Sequence, residues 1–201
     1  MQKNIYGGKF IVFEGLDGSG QSTQANLLSR YLMTQGKAVF FTKEPTKWTE
    51  AGKKINDALD GKTETGDPLK FQKMYVEDRA EHLEKEIVPA LKEGKTVISD
   101  RYFFSTLAFG GLAVPIGKLV ALNDDFLYPD KIIFLDVSAQ ECLRRIKKRG
   151  EGIKFFEKRD KLEKVLENYR KICRMFPDVL VVNGERNLQE IHREIVGSLN
   201  F

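Results

Sequence analysis

A chain of 201 residues, 41% hydrophobic and 31% charged, carries enough apolar content for one core beneath a well-solvated surface, which excludes a low-complexity or disordered chain. Its net charge of +4, from 33 basic and 29 acidic residues, is too mild to require nucleic acid as a partner. No run approaches the roughly 20 apolar residues of a membrane span, and two cysteines in helix-like stretches, Cys142 and Cys173, exclude a disulfide framework and fit buried thiols in a cytoplasmic protein.

In chain order, Phe-Ile-Val-Phe-Glu-Gly (10–15) reads as a first strand, followed by a Gly-rich loop. A helix with Ala25, Leu27, Leu28, Tyr31 and Leu32 on its apolar side then stops near Gly36. A second strand is expected over 38–42. A helix over 76–91 with Val76, Ala80, Leu83, Ile87 and Leu91 on one face is expected to stop at Gly94. Strands over 96–99, 132–137 and 179–183 complete the set, with a turn at 127–130 and helices carrying Leu143, Ile146, Leu162, Val165, Leu166 and Tyr169 between them. The strands are continuous Val, Ile and Phe runs, as expected when helices cover both faces. The expectation is a single α/β domain over 1–201, three layers deep, around a parallel sheet of about five strands.

The loop keeps the frame G-x-x-x-x-G-K-[ST] except at the lysine. Glycines at 15, 18 and 20 allow backbone N–H groups to turn inward on phosphate oxygens, and the following helix adds its positive end. The segment Gly15, Leu16, Asp17, Gly18, Ser19, Gly20, Gln21, Ser22, Thr23 is therefore expected to bind the phosphates of ATP, with Ser22 on Mg²⁺. At Gln21 a neutral amide stands where a lysine would carry charge, and charge-assisted hydrogen bonds are about twice as strong. Three further charged signals fall at strand ends: Asp17, Glu44 and the pair Asp100-Arg101.

Several segments together resemble thymidylate kinase, the P-loop enzyme family that phosphorylates dTMP with ATP. They are Phe-Glu-Gly-Leu-Asp-Gly-Ser-Gly-Gln-Ser-Thr-Gln (13–24), Thr-Lys-Glu-Pro (42–45), the stretches at 75–91, 99–111 and 128–137, and Leu-Arg-Arg-Ile-Lys-Lys-Arg-Gly (143–150). The resemblance implies that Asp17 meets the sugar 3′-hydroxyl region and that Arg101 bridges acceptor phosphate and γ-phosphoryl. It places Asp100 near Mg²⁺, Arg79 on the thymine edge, Tyr75 stacked on the ring and Phe109 against the sugar. Ser105 would line the same wall, and Glu44-Pro45 would shape the loop beside the acceptor phosphate. Tyr75 and Arg79 are i and i+4 on a helix, so they can take a base by face and edge. Lys43 and Gly110 depart from the arginine and glutamine that the family often has there. The basic segment 149–160, hinged by Gly150 and Gly152, resembles a mobile lid, and Arg149, Lys154 or Arg159 is expected to supply the charge absent at Gln21. A solvated charged helix competes with that reading. Homodimers are typical of the family. A kinase for another deoxynucleotide or deoxynucleoside, and a weakened nucleotide-binding paralogue, stay open beside dTMP phosphorylation.

Overall fold

The computed structural model describes residues 1–150 and 155–199, with side chains from 159 onward in the second stretch. The central sheet has five parallel strands: β2 (Phe10–Gly15), β3 (Val39–Lys43), β4 (Thr96–Asp100), β6 (Lys131–Asp136) and β7 (Val179–Asn183), in the order β3-β4-β2-β6-β7. The five expected strands are thus present, each within one or two residues of its expected ends. Two short strands add to them. β1 (Gln2–Lys3) pairs with β5 (Leu127–Tyr128), so part of the expected turn at 127–130 is a bridge to the N-terminus.

Strand alternation explains the three layers. Phe10, Val12, Val97, Ile132 and Phe134 point to one face, while Ile11, Phe13, Ile98, Ile133 and Leu135 point to the other, all essentially fully buried. The second face is covered by α1 (Gln21–Thr34) and α9 (Leu188–Gly197) through Ala25, Leu28, Leu32, Ile191 and Ile195. The first face is covered by α4 (Val88–Lys92), α5 (Phe103–Gly110), α7 (Ala139–Lys148) and α8 (Phe155–Met175). On α1, Tyr31 lies at the rim of this packing, edge-on to His192.

The long helix expected over 76–91 is built differently. α3 (Pro68–His82) starts from an Asp67 cap, whose carboxylate accepts from the Lys70 N–H. It then passes through a wide turn, Leu83–Ile87, with i→i+5 hydrogen bonds, before α4 continues. That turn inserts one residue, so the inward face upstream moves back by one position. Leu83, Ile87 and Leu91 are buried as expected, but Val76 is only half-buried and Ala80 is exposed. Tyr75, Arg79 and His82 face inward in their place, which brings three polar side chains over the carboxyl end of the sheet. α2 (Glu50–Leu59) and α6 (Ile116–Leu122) flank this region. Cys142 is buried and Cys173 half-buried, and both are free thiols that burial pushes up to about 12.

Candidate active site

The loop between β2 and α1 lies at the carboxyl edge of the sheet, where the strand order reverses around β2 and ligands of such sheets bind. Gly18 (φ 87°) and Gly20 (φ 96°) hold left-handed backbone. A Cβ on Gly18 would also meet the Cys142 carbonyl oxygen at 2.6 Å, so α7 presses directly on the loop. From the same helix Arg145 donates to the Ser19 carbonyl (3.0 Å) and the Gly184 carbonyl (2.9 Å), bracing the loop from outside. Nothing in the sequence reading singled Arg145 out, because it sits inside an ordinary basic helical run.

Gln21 does not reach outward as a phosphate ligand would. Its side chain is 5% exposed. With the amide oriented by its hydrogen-bond partners, its nitrogen donates to Leu16 O (3.1 Å) and Ser19 Oγ (2.6 Å), and its oxygen accepts from Arg101 Nη2 (2.8 Å). The same Nη2 donates to Asp17 Oδ1 at 2.9 Å, while Nη1 donates to Gly15 O and Ser105 Oγ, each at 2.9 Å. Arg101 follows β4 with φ 79°, a left-handed conformation that costs a non-glycine residue about 1–2 kcal/mol. The surrounding bonds hold it there, and its guanidinium ends between the phosphate loop and the Phe109 ring, 5.5 Å from the centroid.

Glu14, which the sequence reading passed over as strand core, supports this arginine. It is fully buried. Its Oε1 accepts from the Tyr102 and Ser105 N–H groups (2.8 and 3.3 Å), and its Oε2 accepts from the Ser105 and Tyr169 hydroxyls (2.6 and 3.0 Å). Burial pushes its carboxyl up to about 7, against the opposing pull of Arg101. Ser105 thus serves as the link between Glu14 and Arg101.

Asp100 ends β4 beside the loop. Its Oδ2 accepts from Ser22 Oγ (2.6 Å) and Lys43 Nζ (2.9 Å), while its buried Oδ1 has no hydrogen-bond partner among the described residues. A hydroxyl, a carboxylate and one orphaned carboxylate oxygen make a donor set suited to a hard cation such as Mg²⁺. Among the described residues no group of three or more Asp, Glu, His or Cys can hold a metal alone, so phosphate oxygens and water would complete its shell.

Across the crevice, α3 supplies Tyr75 and Arg79, and α5 supplies Phe109. Tyr75 is half-buried with Phe71 edge-on at 5.5 Å, and burial pushes its hydroxyl up to about 12. Arg79 is 1% exposed and sits 5.0 Å from the Tyr102 ring. Its Nε and Nη2 donate to Glu44 Oε2 (2.9 and 2.7 Å), Nη2 donates to Thr106 Oγ1 (3.1 Å), and Nη1 donates to Asn123. Four of the five guanidinium hydrogens are engaged by described residues. Glu44 also meets His82 Nδ1 at 3.2 Å, so this glutamate builds the wall behind the loop that the cis Glu44-Pro45 bond opens. Trp48, in that loop, is 38% exposed with the Lys85 ammonium 5.5 Å from its ring. Of the cations expected in the lid, Arg149 is exposed at the end of α7, Arg159 is paired with Glu163 at 2.8 Å, and Lys154 lies outside the described residues.

A five-stranded parallel sheet with a phosphate loop after its central strand, and arginine, aromatic and carboxylate side chains gathered beside that loop, defines a P-loop kinase of small nucleotides. The thymidylate kinase family model matches residues 13–195. A probable thymidylate kinase of Pyrococcus horikoshii is 41% identical over 194 residues, covering 94% of each chain. One from Thermococcus gammatolerans is 42% identical over 200 residues (94% of this chain, 95% of the relative), and a thymidylate kinase of a Thermoanaerobacter species is 34% identical over 195 residues (94% and 96%). The chain belongs to the thymidylate kinase family.

Proposed function

We propose that this protein transfers the γ-phosphoryl group of ATP to dTMP, giving dTDP and ADP. The arrangement of Arg101 carries the proposal. One guanidinium touches the phosphate loop at Gly15, Gln21 and Asp17 and borders the crevice at Phe109. A donor phosphate on the loop and an acceptor phosphate at the crevice mouth would then share one cation. Phosphoryl transfer needs positioning and charge neutralisation more than covalent help, and no general base is required because the acceptor is already an ionised phosphate. The loop amides and the α1 N-terminus would hold the ATP phosphates. Tyr75 would stack on the base, Arg79 would reach its edge, Phe109 would pack on the sugar, and Glu44-Pro45 would shape the loop at the acceptor phosphate. Ser22 and Asp100 would hold Mg²⁺, which supplies neutralisation of phosphate charge when bound.

The lid segment, through Arg149 and Lys154, would add charge from above the donor. A homodimer and a cytoplasmic setting go with this reading, and no described helix is long and apolar enough to cross a membrane. Steady-state assays with dTMP, dUMP, dCMP and thymidine test it. dTMP is expected to give the highest kcat/KM. Higher activity on another acceptor would reassign the substrate, and ATP binding without turnover on any of them would reduce the chain to a nucleotide-binding protein.

A further inference from the structure

Gly110 ends α5 with ordinary helical backbone, so no conformational need keeps a side chain off it. Space does. A Cβ there would lie 2.8 Å from both the Cδ and the Oε1 of Gln72, and 3.1 Å from its Cγ. The Gln72 carboxamide therefore occupies the room that a side chain at 110 would fill. Gln72 is 8% exposed, its amide makes no hydrogen bond among the described residues, and neither amide atom is among the fully buried ones without a partner, so the amide still reaches solvent. A ligand that covers this amide would strip it of water, and amides so desolvated need a hydrogen-bond partner. On α3, Gln72, Tyr75 and Arg79 follow one another at spacings of three and four, so the amide lies on the face that carries the stacking ring and the engaged arginine.

We infer that Gln72 is a specificity-determining residue whose carboxamide hydrogen-bonds the edge of the pyrimidine held between α3 and α5. A thymine edge offers one N–H donor beside a carbonyl acceptor, and a carboxamide matches that pair with one acceptor and one donor. Arg79 alone cannot supply it, having no acceptor. The inference rests on the reading of this crevice as the dTMP site.

The test is dTMP binding by titration calorimetry, with KM and kcat alongside, for wild type, Gln72→Leu, Gly110→Ala, Gln72→Ala and the double variant Gln72→Ala with Gly110→Gln. Losing one neutral hydrogen bond to the base weakens binding about threefold to tenfold, and the loss falls on KM more than on kcat. Gly110→Ala is expected to do the same by displacing the carboxamide, and it keeps the test open should Gln72→Leu fold poorly. The double variant, which returns an amide from the opposite wall, is expected to bind more tightly than Gln72→Ala. Wild-type affinity in Gln72→Leu or in Gly110→Ala overturns the inference and leaves the dTMP site standing. Failure of the wild type to bind dTMP removes the site, and this inference with it.

Discussion

Arg101 Nη2 lies 2.8 Å from the Gln21 side-chain oxygen, so the residue at the lysine position of the phosphate loop is a partner of the crevice arginine. A lysine in that place would set an ammonium against a guanidinium in a largely buried setting. Two like charges about 4 Å apart repel by about 4 kcal/mol at an effective dielectric of 20. Gln21→Lys is therefore expected to lower the thermal midpoint and to reduce turnover with dTMP, despite restoring the usual loop sequence. Melting curves and steady-state kinetics on the purified variant check this. A variant as stable as wild type with higher kcat would show that the lysine bypasses Arg101 and reaches the phosphates.

The buried carboxyl of Glu14 makes stability depend on pH with a definite sign. Its value is about 7 in the folded protein and 4.5 when unperturbed, burial being the main cause. The folded state thus holds the proton more tightly. That contribution is fully present below pH 4.5 and disappears as pH rises through 7, a change on the order of 3 kcal/mol. Glu14→Gln keeps an acceptor for the Tyr102 and Ser105 N–H groups and a donor for the two hydroxyls, without the titration. Wild type is expected to lose thermal stability from pH 5 to pH 8 relative to this variant. Identical pH dependence in the two would show that Glu14 stays charged throughout.

The parallel sheet, the phosphate loop and the Asp100-Arg101 pair were legible because each follows from a local pattern: continuous apolar runs, glycines at fixed spacing, charges at strand ends. Ala80 was misplaced because helical periodicity assumes 3.6 residues per turn, and the wide turn at Leu83–Ile87 carries no sequence mark that a 3.6 template detects. The one-residue shift is the reason that Tyr75, Arg79 and His82, rather than an apolar stripe, line the crevice. Glu14 and Gln72 were not legible either. A glutamate inside a strand and a glutamine inside a helix acquire meaning only from what tertiary packing sets beside them, Ser105 and Tyr169 in one case and Gly110 in the other.

Lys43 shares Asp100 Oδ2 with Ser22, so its ammonium competes with any divalent cation drawn to that carboxylate. Its side chain is 52% exposed, and the ion pair itself adds little stability. Lys43→Met is expected to tighten Mg²⁺ binding, while Asp100→Asn, which removes the carboxylate charge, weakens it by about tenfold or more. Calorimetric titration of Mg²⁺ into the protein with ADP reads both effects without turnover. Unchanged Mg²⁺ affinity in Asp100→Asn would place the metal elsewhere.

Asp78 fixes the loop that follows Glu44-Pro45. Its carboxylate, 1% exposed, accepts from the Thr46 N–H (2.9 Å) and from the hydroxyls of Thr46 and Thr49, and Thr49 in turn caps α2 by accepting from the Gly52 N–H at 2.8 Å. Gly52 leaves no spare room, because a Cβ there would meet Thr46 O at 2.4 Å. Removing the carboxylate strands one amide and two hydroxyls in the interior. Asp78→Ala is expected to destabilise by about 3 kcal/mol, or roughly 6–12 °C in thermal midpoint for a chain of this size. Asp78→Asn keeps one oxygen and presents an amide that the two threonine hydroxyls can accept, so its loss should be clearly smaller. If the loop positions the acceptor phosphate, the KM for dTMP rises in both variants in the same order as the loss of stability, while the KM for ATP stays near wild type. A KM for dTMP that does not change in Asp78→Ala would make the clamp a structural device alone.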